Sequence, residues 1–260
     1  MGVFLQMELR EIITDKNIKS PVSEAYRTLR TNIQFSNIDQ KIKTILITSS
    51  GPGEGKSTTA TNLAVTIAQS GKKVLLIDSD LRKPRVHQYF ELPNTRGLTT
   101  VASTNEEYTS LLCKTHLENL DVLTSGPIPP NPSELLGSEK IKEIFKKASQ
   151  NYDIVLLDSP PVGVVTDAAV LSTIVDGVLL ICASGQVAID AAKIAKELLQ
   201  RVKANIIGII LTKVPIHEGR YYKYSYYHSY YEESTKIEKK KTFFQKLALL
   251  FGVKRKEKAM

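Results

Sequence analysis

Cysteine is scarce in this 260-residue chain, and the two present, Cys113 and Cys182, lie far apart with no metal-ligand spacing. Cys182 sits inside an apolar run and reads as a buried structural thiol rather than a redox or metal group. Long hydrophobic runs are also lacking. The apolar stretches Ile45–Ile47, Val74–Ile77, Ile154–Leu157, Val178–Ala183 and Ile206–Leu211 are all strand-length. None approaches the roughly 18 residues of a membrane span. The opening MGVFLQMELR has no signal-peptide hydrophobic region with a cleavage site, so a cytoplasmic protein is expected. The four histidines, His87, His116, His217 and His228, form no ligand or catalytic pattern, and no internal repeat is found. A basic globular surface is missing as well. The net charge is +8, but residues 236–260 alone hold nine Lys/Arg against two Asp/Glu. The charge belongs to a tail, which argues against a nucleic-acid partner.

What is present is an alternation of strand-like and helix-like segments from Lys43 to Thr212. Strands are expected at Thr44–Thr48, Lys73–Ile77, Leu120–Leu123, Asp153–Leu157, Gly177–Cys182 and Asn205–Thr212. Helices are expected around Ser57–Ser70, Ser133–Gln150, Asp167–Thr173 and Ala188–Lys203. Continuous apolar strands separated by crossover helices predict an α/β fold: a P-loop NTPase-type, mostly parallel sheet flanked by helices on both faces. The first 40 residues precede the sheet and are expected to add one or two helices on its outside.

The segment from Thr44 through SSGPGEGKST to Thr58 is a strand, a glycine-rich turn and a helix start. Phosphates need that arrangement, because glycines let backbone N–H groups converge and a helix N-terminus adds favourable potential. Gly51, Gly53, Glu54, Gly55, Lys56, Ser57 and Thr58 form the expected nucleotide loop, although Ser50 stands where the strict pattern has its first glycine. Lys56 is placed to reach the β- and γ-phosphates and the Ser57 hydroxyl to ligate Mg²⁺. Two strand ends are acidic, Asp78-Ser79-Asp80 and Asp158-Ser159. A parallel sheet opens both on the phosphate-loop edge, where ligands bind. A lone Asp there often only caps the next helix, but three converging on one phosphate site suit Mg²⁺ binding and proton acceptance.

Seven of the eleven tyrosines, Tyr221, Tyr222, Tyr224, Tyr226, Tyr227, Tyr230 and Tyr231, crowd into RYYKYSYYHSYYEES. That stretch has no periodic apolar face to bury. A nucleotide site plus a rack of phenols suggests an enzyme that phosphorylates tyrosine, beginning with its own tail.

The segments SSGPGEGKST, VLLIDSDLRKP and DIVLLDSPP resemble the phosphate-loop and acidic motifs of the bacterial tyrosine kinases, and the resemblance continues through GPIPPNPSELLGS. The similarity is to the cytosolic form that controls capsule and exopolysaccharide assembly in Gram-positive bacteria, and it spans roughly residues 20–231. It implies ATP and Mg²⁺ as cofactors, with Lys56 and Ser57 on the phosphates and metal. Asp80 and Asp158 would be the Mg²⁺-side carboxylates and Asp78 the base for the tyrosine hydroxyl. It also implies a membrane-spanning activator, other protein tyrosine substrates and recruitment to the inner face of the cell membrane. Glu24, Arg27 and Arg30, three residues apart in PVSEAYRTLRT, match the family's oligomerisation helix, which implies a homo-oligomeric ring; by themselves they read as a solvated flank. Relatives often have Asn, which helps to read the base, where this chain has Thr212.

The expected organisation is an oligomerisation segment over 1–40, a kinase domain over 41–214, a tyrosine tail over 215–235 and a basic amphipathic extension over 236–260. In the extension Phe243, Phe244, Leu247, Leu250 and Phe251 share one helical stripe among lysines, a pattern suited to an anionic membrane surface or to a solvated tail. Two rivals stand beside the kinase reading. One is a partitioning or division-type ATPase, a nucleotide-dependent binding switch; such proteins usually carry a second lysine where this chain has Gly51. The other is an inactive scaffold whose tyrosines another kinase modifies.

Overall fold

Every residue of the central strands is apolar on both pleat faces or is a short polar group at a strand end, so the sheet must be covered twice. The structure, a computed structural model, describes residues 11–35 and 42–215. The tyrosine cluster and the basic extension lie outside the described residues. Seven strands form one sheet: β1 (Thr44–Ser49), β2 (Val74–Asp78), β3 (Cys113–Lys114), β4 (Leu120–Leu123), β5 (Ile154–Asp158), β6 (Gly177–Ala183) and β7 (Ile206–Thr212). Their order is β3-β4-β2-β5-β1-β6-β7. All pairings are parallel except β3 against β4, so the mostly parallel sheet expected from sequence is what forms.

Alternation within the strands divides the core. Leu46, Leu75, Ile77, Val155, Leu157, Val178 and Leu180 face one side. There they meet α5 (Leu98–Ser103), α7 (Glu139–Asn151), α8 (Asp167–Ser172) and α9 (Ile189–Arg201). Ile45, Ile47, Val74, Leu76, Leu156, Leu179 and Ile181 face the other, under α3 (Lys56–Ala68) and α4 (Val86–Tyr89). Burial on both faces is why the strands read as unbroken apolar runs.

The N-terminal residues form two helices, α1 (Ile13–Lys16) and α2 (Pro21–Phe35), and both lie on α3 rather than on the sheet itself. Thr14 and Asn62 lock this outer layer: the Thr14 N–H and hydroxyl each donate to Asn62 Oδ1 at 3.0 Å.

The helix expected over Ser133–Gln150 is two helices, α6 (Pro132–Leu136) and α7. Ser138, extended at φ −69° and ψ 152°, interrupts it, and its Oγ accepts the Ile141 N–H as an N-cap. A side chain that caps offers the backbone an alternative to continuing the helix. The short elements β3, α4 and α5, and a 3-10 turn at Tyr108–Leu111, span too few residues to show a period.

Candidate active site

The C-terminal ends of β1, β5 and β2 are neighbours, and three sequence motifs meet there. In the β2–β5 ladder Asp78 is paired with Asp158, and in the β1–β5 ladder Ile47 is paired with Asp158. Asp158 therefore sits one strand from Asp78 and one strand from the chain entering the glycine loop, about 4.8 Å in each direction.

The loop itself is shaped before any ligand arrives. Gly53 and Gly55 have φ of +75° and +92°, a left-handed backbone that only glycine adopts without strain. Lys56 is buried beneath the turn. Glu54, expected as a nucleotide-loop residue, turns its carboxylate to the scaffold. Its Oε1 accepts the Ser50 hydroxyl at 2.7 Å and the Gly51 N–H, and its Oε2 accepts the Ala183 N–H of β6 at 3.3 Å. The end of β7 grips the loop from the same side. Thr212 Oγ1 donates to the Glu54 carbonyl at 2.6 Å, and Lys213 Nζ donates to the Gly53 carbonyl at 2.8 Å and to Gln186 Oε1 at 2.7 Å. Thr212 thus holds the loop. Burial, reinforced by the Glu54 charge, pushes the Cys182 thiol up, in keeping with a structural thiol.

On the other flank the Pro160-Pro161 segment backs onto the loop. Thr48 Oγ1 donates to the Pro160 carbonyl at 2.8 Å, and the Val162 N–H donates to the Ser49 carbonyl at 2.9 Å. Gly163 comes so near that a Cβ there would lie 2.2 Å from the Ser50 carbonyl oxygen.

The three carboxylates are not equivalent. Asp78 is fully buried, and its Oδ2 accepts the N–H groups of Arg85 and Val86, both at 3.0 Å. Among the described residues its Oδ1 accepts only the Asp80 N–H, at 3.3 Å. Asp80 Oδ1 accepts the Lys83 N–H at 3.0 Å. Asp158 is equally buried, yet no donor among the described residues stands in hydrogen-bonding geometry to either of its oxygens. Burial raises its pKa, and the Lys56 ammonium and the Ser57 hydroxyl draw it part of the way back. Burial raises Asp78 well above the carboxylate range, and the Asp158 charge adds to that rise.

An orphaned buried carboxylate beside a lysine, a serine and a glycine cradle is what a hydrated cation and a polyphosphate would satisfy. No group of three or more His, Cys, Asp or Glu side chains suited to an all-protein metal cage occurs among the described residues. A cation here would therefore take part of its shell from phosphate and water, as Mg²⁺ does.

The sequence reading did not single out the clasp that joins the loops around this edge. Arg82 Nε and Nη2 each donate to Asp167 at 2.9 Å, and Ser133 Oγ also donates to that carboxylate. The loop after β2, the start of α8 and the start of α6 are thereby tied together. A recognisable signal was there, a cation four residues after an acidic strand end, but its partner lies 85 residues away. Burial alone would raise the Asp167 pKa; Arg82 and Ser133 outweigh it and hold it low. The pair's contribution is thus present above the unfolded value of about 3.9 and lost as pH falls through the lower folded value. Asp167→Asn is expected to lower stability at neutral pH by about 1–2 kcal/mol, allowing for screening at the half-exposed guanidinium. Urea titration at pH 7 and at pH 3 checks this, because the difference should shrink at the lower pH.

Glu24 and Arg27 form an ion pair with each other, and Arg27 Nη2 also donates to the Ile18 carbonyl at 2.8 Å. Arg30 Nη1 donates to the Thr66 carbonyl of α3 at 3.1 Å. These residues are some way from the phosphate edge, on the outer helical layer.

Comparison with known proteins decides among the sequence-level readings. A family model described as an AAA domain matches residues 42–210. The tyrosine-protein kinase YwqD of Bacillus subtilis strain 168 is 47% identical over 218 residues, 84% of this chain and 91% of that protein. The chain belongs to the bacterial tyrosine kinases. Tyrosine-protein kinase CpsD of Streptococcus agalactiae is 37% identical over 84% of this chain and 95% of its own length. The crystal structure of the chimerical protein CapA2B2 superposes with a TM-score of 0.76 at 41% identity, covering 80% of this chain and 94% of that one. The septum site-determining protein MinD of Pyrococcus horikoshii, bound to Mg-ADP, is a more distant likeness at 23% identity and a TM-score of 0.55. At that distance only the fold is shared. This bacterial tyrosine kinase therefore shares its fold with MinD, while the relatives in sequence named above are tyrosine-protein kinases.

Proposed function

We propose that this chain uses Mg-ATP to phosphorylate tyrosine, first on its own cluster at Tyr221, Tyr222, Tyr224, Tyr226, Tyr227, Tyr230 and Tyr231, and thereby regulates capsular or exopolysaccharide synthesis and export. The observation that carries the reading is the meeting of Asp78, Asp80 and Asp158 at one sheet edge with Lys56 and Ser57. Gly51, in place of a second loop lysine, argues against the division-type switch.

The N–H groups of the left-handed glycine turn and the Lys56 ammonium orient the β- and γ-phosphates of ATP. Ser57, Asp158 and Asp80 are the residues that would hold Mg²⁺, which when bound neutralises charge on the phosphates. Asp78 Oδ1, with one long amide bond, keeps a lone pair to accept the phenol proton. The phenol oxygen then bonds to the γ-phosphorus as the bond to the bridging oxygen breaks and ADP leaves. Little covalent chemistry is asked of the protein, so positioning carries most of the catalysis.

No helix among the described residues is long and apolar enough to cross a membrane. A separate membrane-spanning activator fits that observation, with the kinase at the inner face of the membrane and other protein tyrosines as further substrates. Glu24, Arg27 and Arg30 are proposed to contact the neighbouring subunit of a ring, the two arginines exchanging their present intrachain partners for carboxylate and carbonyl oxygens across the interface and Glu24 accepting from a cation there. Residues 236–260 are proposed to rest on anionic lipid until phosphotyrosine charge offsets their basicity. Phosphopeptide mass spectrometry of residues 221–231, on protein recovered from its host, tests the function. Phosphotyrosine is expected in wild type and none in Lys56→Ala; equal phosphorylation in both would make the chain a substrate of another kinase.

A further inference from the structure

The loop that follows β2 carries three cations, Arg82, Lys83 and Arg85. Its backbone is pinned to the catalytic carboxylates: the Lys83 N–H donates to Asp80 and the Arg85 N–H to Asp78. The three side chains differ in what they do. Arg82 is committed to Asp167. The Lys83 side chain makes no hydrogen bond or ion pair among the described residues, and that of Arg85 makes only a 3.3 Å contact to the neutral Gln88. Both are exposed. Two uncompensated positive charges are thus rooted beside the proposed phosphoryl-transfer site by bonds that leave their side chains free.

Resting on the kinase reading above, we propose that Lys83 and Arg85 are specificity-determining residues that select tyrosines flanked by negative charge. In this chain's own cluster the flanks differ in sign. Tyr230 and Tyr231 are followed by Glu232 and Glu233, whereas Tyr221 and Tyr222 lie between Arg220 and Lys223. The cations attract the first pair and repel the second, so phosphorylation starts at the Tyr230–Tyr231 end. Each phosphate added there brings a charge of about −1.5 to −2, which supplies the negative flank that the next tyrosine upstream lacks. The charge pattern then imposes an order running from Tyr231 toward Tyr221.

The test compares site occupancies at Tyr230/Tyr231 and at Tyr221/Tyr222 in the full chain recovered early after induction in its host. Four forms are compared: wild type, K83E/R85E, E232K/E233K, and all four changes together. Two charge pairs near the surface are expected to make the wild-type ratio of the two ends about tenfold in favour of Tyr230/Tyr231. K83E/R85E should invert the preference, E232K/E233K should abolish it because both ends are then flanked by cations, and the combined change should leave the two ends equal while raising their occupancy above that of E232K/E233K. The tail variant leaves residues 11–215 unaltered, so it answers the question even where the loop variant folds poorly. Phosphotyrosine at both ends of wild type in equal amounts, or a ratio that ignores all three variants, would overturn the selection while leaving the kinase reading intact. No phosphotyrosine in wild type would instead remove the reading on which it rests.

Discussion

Asp158→Asn leaves the protein folded but lowers tyrosine phosphorylation by about a hundred- to a thousandfold, the loss expected when one preorganised charge is removed from a transition state. The reasoning separates two roles that a buried carboxylate can play. Asp158 accepts no hydrogen bond among the described residues, so the scaffold does not depend on it for polar satisfaction. Its burial costs free energy as a charge, and the nearby Lys56 and Ser57 return only part of that cost. Asparagine of the same shape removes the charge and the attraction to Lys56 together, and these changes oppose each other. The stability of the nucleotide-free protein is therefore expected to stay within about 1 kcal/mol of wild type. Ligand linkage should change sharply: saturating Mg-nucleotide stabilises wild type by about 3 kcal/mol at a hundred times its Kd, and most of the Mg²⁺-dependent part should vanish in the variant. Thermal melts with nucleotide, with and without Mg²⁺, measure this directly. Full activity in Asp158→Asn would rule out the cation role.

Glu54→Gln should behave in the opposite way, weakening the fold and the site at once. The Glu54 carboxylate accepts from Ser50, from the Gly51 N–H and from the Ala183 N–H, with almost none of its surface exposed. An amide of equal size has one oxygen and one N–H₂ group. If the oxygen faces Ser50 and Gly51, the N–H₂ group faces the Ala183 N–H, donor against donor. Stability is expected to fall by about 2 kcal/mol, the scale of a buried donor left unpaired. In a domain of this size that lowers Tm by about 4–8 °C. Nucleotide affinity should fall about tenfold as well, because a loop no longer stapled to β6 must be ordered at the moment of binding. Titration with a fluorescent nucleotide and a thermal melt of the same sample check both halves. A loss of stability with unchanged affinity would mean that the loop keeps its shape without this staple.

Much of this was legible in the one-dimensional pattern, for a physical reason. Strands buried on both faces must be apolar throughout, so Ile45–Ile47, Leu75–Ile77 and Val178–Ile181 stand out against any background. Phosphate binding needs contiguous glycine and N–H geometry, so Gly53, Gly55, Lys56 and Ser57 are adjacent in the chain as well as in space. The short elements were not legible, since β3 has two residues and α4 four. Nor was the break at Ser138, where one capping hydroxyl outweighs an amphipathic stripe that continues through it.

The sequence by itself determined the mostly parallel sheet, the phosphate loop and the family, because each depends on local spacing that one segment contains whole. Tertiary structure alone decided how the site's side chains are employed. It spent Glu54 and Thr212 on holding the loop and bound Arg82 to Asp167. It surrounded Asp78 with amide donors and left Asp158 with none among the described residues. Those assignments depend on which strand ends become neighbours, as Asp78 and Asp158 do from 80 residues apart. A hydrogen bond between residues so distant in sequence leaves no periodic trace in the chain.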